Sequence, residues 1–384
     1  MSQAAIASCS IRGFSSDTAA VGDIVSAAAR AALDDAGLTR DDLDAIVMTD
    51  QDAFDGAAIS GGMKVTPAGG YTKPSMRIQN NGGHGIHHAI SKLHAGKADC
   101  ILIVAADTVE ADERVLSHIS QEPLYARQLG QSNVQSYGHL ATHLVDEHGF
   151  SSEQFAEVAA KNYAGAADNP YAHRTEPYSA EEILASDRLV GPLHELMVGP
   201  HSFGAAVMVL TSPAKAEDLD FDPVWITGAG LGSTRYHYRD LLSHVEQDGQ
   251  RAARDEAYER AGIDDPAAEI DYAEVCNPSP MFELLSYESL GFCGEGEAGE
   301  FFDSGATAAG GDLPVNLSGG ALATNPPSSG GLYRTIMATK VLTGEFGESA
   351  VSNPERAVVA DSDLHLGIQG RTDAVLVLEA GGAR

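Results

Sequence analysis

Two asparagines, three histidines and a glycine pair crowd one short stretch, Asn80-Asn81-Gly82-Gly83-His84-Gly85-Ile86-His87-His88. It reads as a glycine turn that opens a helix. The first turn of a helix has unpaired N–H groups and a partial positive charge, which suit an anion or a developing oxyanion. A nucleophile placed there would be activated, yet the stretch holds neither Cys nor Ser. His84 could act as nucleophile or base, because imidazole does either near neutral pH. Equally, it could line a ligand pocket or face a partner subunit. His84 and His88 share a helical face at i, i+4, but no carboxylate is interleaved as in His-Glu-x-x-His, and a third ligand is not evident. No metal is expected.

The elements that must carry this stretch are readable. Residues 4–8 start a first strand, and Val21, Ile24, Val25, Ala28 and Ala32 have helical spacing that Gly37 would stop. Leu43–Met48 reads as a strand, residues 51–72 as a loop, and Ser75–Ile78 as the lead into the glycine turn. The helix that follows should end near Gly96. Cys100–Ala106 is a continuous apolar run suited to the inside of a sheet. From 108 to 200 strand patterns give way to helical ones, Tyr137–His148 and Ser152–Ala167, with Asn169-Pro170 and Glu176-Pro177 in loops. Strands return at Gly204–Leu210, Val224–Gly228 and Ala374–Leu378. Gly228-x-Gly230-x-Gly232 is too weak a pattern for a dinucleotide site, and reads as a loop crossing between two halves.

The second half echoes the first. Ala31–Leu38 followed by Leu43-Asp44-Ala45-Ile46-Val47 matches Ala257–Ile263 followed by Ile270–Val275: a helix, an Ala-Gly-aliphatic cap, a short acidic loop, and a strand with Asp near its start. Glycine turns before a helix recur at Asn81-Gly82-Gly83 and Ser329-Gly330-Gly331. An internal repeat of this size points to duplication.

Composition narrows the function classes. The 384 residues carry 55 acidic and 24 basic side chains, for a net charge of −31. The acidic excess is spread along the chain, which describes a solvated surface adapted to high salt and not a binding tail. It argues against nucleic-acid binding, which needs basic patches. No apolar run approaches the ~20 residues that span a membrane, and no basic, apolar leader is present, so a cytoplasmic location is expected. The four cysteines, Cys9, Cys100, Cys276 and Cys293, form no Cys-x-x-Cys pair, so neither a disulfide framework nor a cysteine-based zinc site is expected.

Several segments together resemble the thiolase superfamily, especially sterol-carrier-type thiolases and archaeal acetyl-CoA acetyltransferases. They are Ala32–Leu38, Asn169-Pro170-Tyr171-Ala172, Gly204–Val209 and, most specifically, Tyr287–Cys293 through Leu313–Ala323. The resemblance implies an α/β, thiolase-like duplicated fold: two similar halves, 1–225 and 226–384, in five layers (αβαβα), with a helical loop insertion at 108–200 that shapes a coenzyme A site. It implies a homodimer or tetramer, and a small OB-fold, zinc-ribbon protein as a possible partner.

The chemistry implied is a Claisen condensation or its reverse on acyl-CoA, with coenzyme A thioester as substrate and no other cofactor. A Cys thiolate takes the acyl group, a second base removes a proton, and an oxyanion hole holds the enolate. Each of the four family loops departs from that pattern here. In the nucleophile loop, aligning Arg77-Ile78 puts Gly82 at the Cys position, whereas aligning from Gly96 puts Gln79 there. Cys276-Asn277 stands for His-Asp or Asn-Glu, Asn325-Pro326-Pro327 for Gly-His-Pro, and His365-Leu366-Gly367 for Cys-x-Gly. The resemblance therefore points to His84, Cys276 and His365 as candidate catalytic residues, and to Asn81, Gly82, Gly83, Asn277, Asn325 and Gly367 as candidate substrate contacts. Cys276 could be a displaced nucleophile if a cation such as His365 lowers its pKa, or a small filler beside Pro278 and Pro280. Two readings stand: an acetyl-CoA acetyltransferase-type acyltransferase with a rearranged active site, or a non-catalytic thiolase-fold subunit that binds acyl-CoA or scaffolds an active complex.

Overall fold

In the computed structural model, residues 4–15, 20–107, 124, 127–219, 222–234, 245–347, 351–364 and 371–381 are described. The chain runs β1 (Ala4–Ser15), α1 (Val21–Asp35), β2 (Ala45–Thr49), β3 (Ser75–Ile78), α2 (Gly82–His94), β4 (Cys100–Asp107), α3 (Asn133–His148), α4 (Ser152–Ala166), β5 (Arg188–Val190), β6 (Leu193–His194), β7 (Phe203–Thr211) and β8 (Val224–Ser233). It continues through α5 (Asp248–Ala261), β9 (Tyr272–Val275), α6 (Pro280–Ser289), α7 (Gly330–Leu342), β10 (Arg356–Ser362) and β11 (Thr372–Glu379), with single helical turns between.

The strand order β3-β2-β4-β7-β1-β8-β11-β10-β9 is a palindrome of two halves. In the first, β2 pairs in parallel with β3 and β4, and β7 runs antiparallel to both β4 and β1. In the second, β9 is parallel to β10, and β11 is antiparallel to both β10 and β8. Val315, bridged in parallel to Ala273, stands where β3 stands in the first half. A three-residue ladder, Ala4–Ile6 against Val224–Ile226, joins the halves.

The repeat extends to single hydrogen bonds. Gly37 and Gly262 both take the left-handed conformation after their helices (φ 65° and 71°). That conformation is cheap only for glycine and lets the next N–H turn back onto the helix. Leu38 N donates to Leu33 O (2.9 Å), as Ile263 N does to Tyr258 O (3.0 Å). The Asp44 carboxylate accepts from the N–H groups of Asp99 and Cys100, ahead of β4. The Asp271 carboxylate accepts from Glu355 and Arg356, ahead of β10.

Apolar faces set the layers. α1 buries Val25, Ala28 and Ala32 against Leu102, Val207 and Val209 on the outer face of the first sheet. α5 buries Ala253 and Ala257 against Val375 and Val377 of the second. α2 and α7 lie between the sheets, with Ile86, Ile90, Leu332 and Ile336 among Ile103, Met208, Val359 and Leu376. The result is helix, sheet, helix, sheet, helix. Each fully buried Ile or Leu contributes roughly 1.5–3 kcal/mol, so both central helices are pinned by contacts to both halves. Tyr137 of α3, in the insertion, meets Phe282 of α6 edge-on with ring centroids 5.1 Å apart, a spacing typical of aromatic pairs. Among the described residues, no helix is long and apolar enough to cross a membrane.

Two sequence expectations are corrected. Gly228, Gly230 and Gly232 form no loop; they lie inside β8 on one face. A Cβ at any of them would overlap the backbone oxygen of Ala257, Ala253 or Gly249, respectively. Glycine at every second strand position is what lets the α5 backbone rest on the sheet. Residues 51–72 are likewise no open loop. They contain helical turns at Asp52–Asp55 and Gly62–Val65, tied down by a buried Lys64–Asp55 ion pair (2.6 Å) and by Arg77 on Asp50 and Asp52. Single turns leave no periodic signal for the sequence to show.

Candidate active site

The helix α2 begins at Gly82, as its sequence predicts, with Asn81 as N-cap in extended conformation. Neither glycine has room for a side chain. A Cβ at Gly82 would overlap Leu332 N and sit 2.8 Å from Leu332 Cβ and 2.9 Å from the Gly331 carbonyl carbon. One at Gly83 would lie 2.8 Å from Ala374 Cβ. The first turns of α2 and α7 thus touch backbone to backbone. His84 is the first residue of α2 with a side chain. It is buried, and its Nδ1–H donates to Asn81 Oδ1 (2.9 Å). Burial pushes its pKa down to about 4 despite the nearby Asp361 carboxylate, so the ring is neutral at pH 7. The Asn81 Nδ2 group is buried without a hydrogen-bond partner.

The expected anion site at this helix start is filled from within. Asp361, at the end of β10, accepts from Gly83 N–H (3.0 Å) and pairs with the buried Arg334 of α7. Asp107, at the end of β4, does the same for the start of α7, accepting from Ser328 N–H (2.8 Å), Ser329 N–H (2.9 Å) and the Ser329 hydroxyl. Each half therefore caps the central helix of the other. Thr49, at the end of β2, donates to Ser328 O (3.4 Å), so the β2, β4 and β10 ends and both helix starts meet in one place. That is the carboxyl edge of the parallel strands, where open α/β sheets place their ligands.

Cys276 follows β9 and is buried; its thiol donates to Ser362 O (3.4 Å). Burial pushes its pKa up to about 11, with Arg334 opposing that shift. Cys9, Cys100 and Cys293 are pushed by burial to about 12. All four cysteines are free thiols, and none has the electropositive, accessible surroundings that make a thiolate. Asn277 is committed elsewhere. Its Nδ2 donates to Asn162 Oδ1 (3.0 Å) and Glu283 Oε2 (2.7 Å), and its Oδ1 accepts from Ala321 N–H (2.7 Å). The buried Glu283 also accepts from Asn162, Asn316 and Tyr287 and pairs with Lys161 (2.5 Å), a hub that fixes this loop.

Asn325 keeps its backbone in the site through Ser202, whose hydroxyl accepts the Asn325 N–H (3.1 Å), while Asn325 Oδ1 is buried without a partner. His173 Nδ1 meets the same Ser202 Oγ (2.9 Å), and His173 N–H donates to Thr324 Oγ1 (2.9 Å). Sequence reading passed over His173 and Ser202, although His173 directly follows the Asn169–Ala172 motif. Asp363 was missed as well. It is half-buried, its Oδ1 is a buried atom, and burial pushes its pKa up to about 6. His365 and Gly367 lie outside the described residues. The structure thus brings together Asn81, Gly82, Gly83, His84 and the Asn325 loop, with Cys276 behind the β10 end, and turns the Asn277 side chain into the Glu283 hub. Among the described residues no three His, Cys, Asp or Glu side chains are placed to hold a metal ion. A cleft of about 720 Å³ between α4 and residues 307–317 is lined by Lys161, Asn316 and Phe346, and not by Asn81, His84 or Asn325.

Comparison with known proteins agrees with this fold. Residues 2–178 match the family model "Thiolase, N-terminal domain", and residues 232–380 match "Thiolase C-terminal domain-like". An acetyl-CoA acetyltransferase of Methanothermobacter thermautotrophicus is 27% identical over 343 residues, covering 87% of this chain and 88% of that one. A 17-hydroxy-3-oxo-4-pregnene-20-carboxyl-CoA lyase of Mycobacterium tuberculosis is 28% identical over 312 residues, covering 76% and 79%. The solved structure of an Ltp2-ChsH2(DUF35) aldolase superposes with a TM-score of 0.81 at 24% identity, over 99% of this chain and 98% of that one. With both halves matched by thiolase models and the five layers in place, the chain belongs to the thiolase superfamily.

Proposed function

We propose that the protein cleaves or forms a carbon–carbon bond in an acyl-CoA thioester without a covalent acyl-enzyme, as a retro-aldol lyase of a β-hydroxyacyl-CoA. The observation that carries this reading is the missing thiol. Gly82 and Gly83 leave no space for a nucleophile, and burial holds all four cysteines protonated at neutral pH. The acyltransferase reading, with its Claisen chemistry, needs an acyl-enzyme. Retro-aldol cleavage needs only a base for the β-hydroxyl and a donor for the enolate oxygen. The unpaired Asn81 amide suits that oxygen. A relative named as a lyase of a steroid carboxyl-CoA, and a structural neighbour titled an aldolase, point the same way.

The second reading, a non-catalytic subunit that binds acyl-CoA or scaffolds an active complex, is favoured by Pro326 standing where the family carries a base. For either reading we propose assembly. β3 is an edge strand with Ser75 and Met76 exposed, and Ile59 and Tyr71 beside it are each 71% exposed, a face suited to a second copy of this chain. The neighbour is named together with a DUF35 partner, which supports a partner subunit here; we propose that it is the small OB-fold, zinc-ribbon protein expected from the sequence. We place the assembly in a salt-rich cytoplasm on the strength of its charge.

The test is product analysis in high salt, with and without a DUF35-type partner. A panel of 3-hydroxyacyl-CoA thioesters should yield a shorter acyl-CoA and a carbonyl compound, with no mass adduct on the protein. Thiolysis of acetoacetyl-CoA with an acyl adduct on Cys276 would return the acyltransferase. Binding of the thioesters with no turnover in any combination would leave the non-catalytic subunit.

A further inference from the structure

We propose that Asp363 is the proton-transfer residue of this site. This rests on the lyase reading above and names the group that reading lacks. Asp361 points at the start of α2, where it accepts from Gly83 N–H. Ser362 points the other way, its hydroxyl donating to Asp373 Oδ1 (2.6 Å). After Ser362 the chain leaves β10 in a tight turn centred on Asp363, closed by Leu364 N–H donating to Ser362 O (3.1 Å). Its backbone is held there by Asp363 N–H donating to Thr372 O (3.0 Å). The Thr372 hydroxyl in turn accepts from the Asn80 amide (2.9 Å), so Asp363 lies at the β10 end, next to the loop that leads into Asn81 and His84.

The charges around Asp363 differ from those around its neighbours. Asp361 has Arg334, and Asp373 has Arg371 (2.9 Å). No ion pair with Asp363 is found among the described residues; it faces the Gln51 amide from the β2 end, and Asp361 and Asp373 add negative charge. His84, on the α2 side, is neutral. A carboxylate with an unpaired buried oxygen, at the strand ends and without a cation, is placed to exchange protons and not to brace the fold.

The step balances within the substrate. The Asp363 carboxylate takes the β-hydroxyl proton as the β carbon becomes a carbonyl. The Cα–Cβ bond breaks and its electron pair enters the thioester enolate, whose oxygen receives the Asn81 amide. The Asp363 carboxylic acid then returns the same proton to the α carbon. Nothing is oxidised, reduced or hydrolysed.

Asp363→Asn keeps the shape and removes the proton. It should lower kcat for cleavage by about 10²–10⁴, the usual worth of a general acid–base group, while KM and the melting temperature stay near wild type. The wild-type rate should rise on its acid limb through an apparent pKa near 6, and Asp363→Glu should recover part of it. A second readout needs no cleavage: exchange of the α protons of propionyl-CoA into D2O, followed by NMR. Loss of exchange in Asp363→Asn supports the proposal even if no hydroxyacyl-CoA is cleaved, which would sink the lyase reading alone. Cleavage by wild type with undiminished kcat in Asp363→Asn sinks the proposal and keeps the lyase. A loss confined to His173→Asn would move the role to His173 and equally overturn it. If wild type catalyses neither reaction, both fail.

Discussion

Restoring a nucleophile to α2 is the natural first engineering step, and the packing says it will fail. Gly82 opens the helix, and alanine is worth roughly 1 kcal/mol over glycine in a helix interior, so Gly82→Ala judged from secondary structure alone should be neutral or stabilising. A Cβ there is 2.8 Å from Leu332 Cβ and closer still to Leu332 N, where ordinary contact begins at 3.4 Å. With Leu332 N only 2.1 Å away, the start of α7 must retreat by about 1.3 Å to reach that contact, but Ser328 and Ser329 N–H are anchored on Asp107, and Arg334 on Asp361. Overpacking of this kind costs about 1–3 kcal/mol, occasionally more, and the obstacle is backbone, which cannot rotate away. Gly82→Ala and Gly82→Cys should both lose stability in urea denaturation. Gly62→Ala, where nothing lies within 4 Å of the added carbon, should not. Gly82→Cys should also form no acyl adduct with acetyl-CoA by intact mass. A Gly82→Ala protein as stable as wild type, or an adduct on the new cysteine, would refute the reasoning.

The same logic applies at Gly230, where a Cβ would overlap Ala253 O: Gly230→Ala should destabilise by about 1–3 kcal/mol, and an unchanged denaturation midpoint would restore the loop interpretation of this run. Arg334→Met leaves Asp361 buried and unpaired, so a loss of about 3–5 kcal/mol is expected by chemical denaturation. Cys276, pushed up to about 11, should resist iodoacetamide at pH 8 in the native protein and react once unfolded, as peptide mapping would show. Because its folded pKa lies above the unfolded value, its contribution to stability is complete below about pH 9 and lost as pH rises through about 11; Cys276→Ala should flatten that part of the stability–pH curve. Finally, with a net charge of −31, the melting temperature should rise from low to molar salt as self-repulsion is screened; a flat response would contradict adaptation to salt.

What the sequence disclosed follows from which features are local. Leu33, Gly37 and Asp44 announce a helix, its stop and the next strand because each acts on neighbours a few residues away, and the echo at Tyr258, Gly262 and Asp271 exposed the duplication. The continuous apolar run of β4 marked a strand buried on both faces. The glycine run of β8 misled because absent side chains look alike in a loop and under a docked helix; only α5 explains them. The glycine turn at 82–83 was located correctly, but its apparent vacancy for an anion was not real, since Asp361 lies 278 residues away from Gly83. Asn277 looked available for the same reason: Asn162, Glu283 and Ala321, which occupy it, are assembled only by folding. Asp363 gave no signal at all, being one acid among 55.

The exchanged caps have a consequence for how the chain is made. The start of α2 is completed by a residue near the C-terminus, and the start of α7 by Asp107, 221 residues before Ser328. When the first half leaves the ribosome, α2 has neither its carboxylate nor its second sheet, and one apolar face of the helix waits in water. Contacts so distant in sequence are slow to close, and synthesis at about 5–20 residues per second keeps that face open for many seconds. The first half should therefore be a client for chaperones when expressed alone, and co-expression of the two halves as separate chains should rescue its solubility by supplying the missing cap in trans.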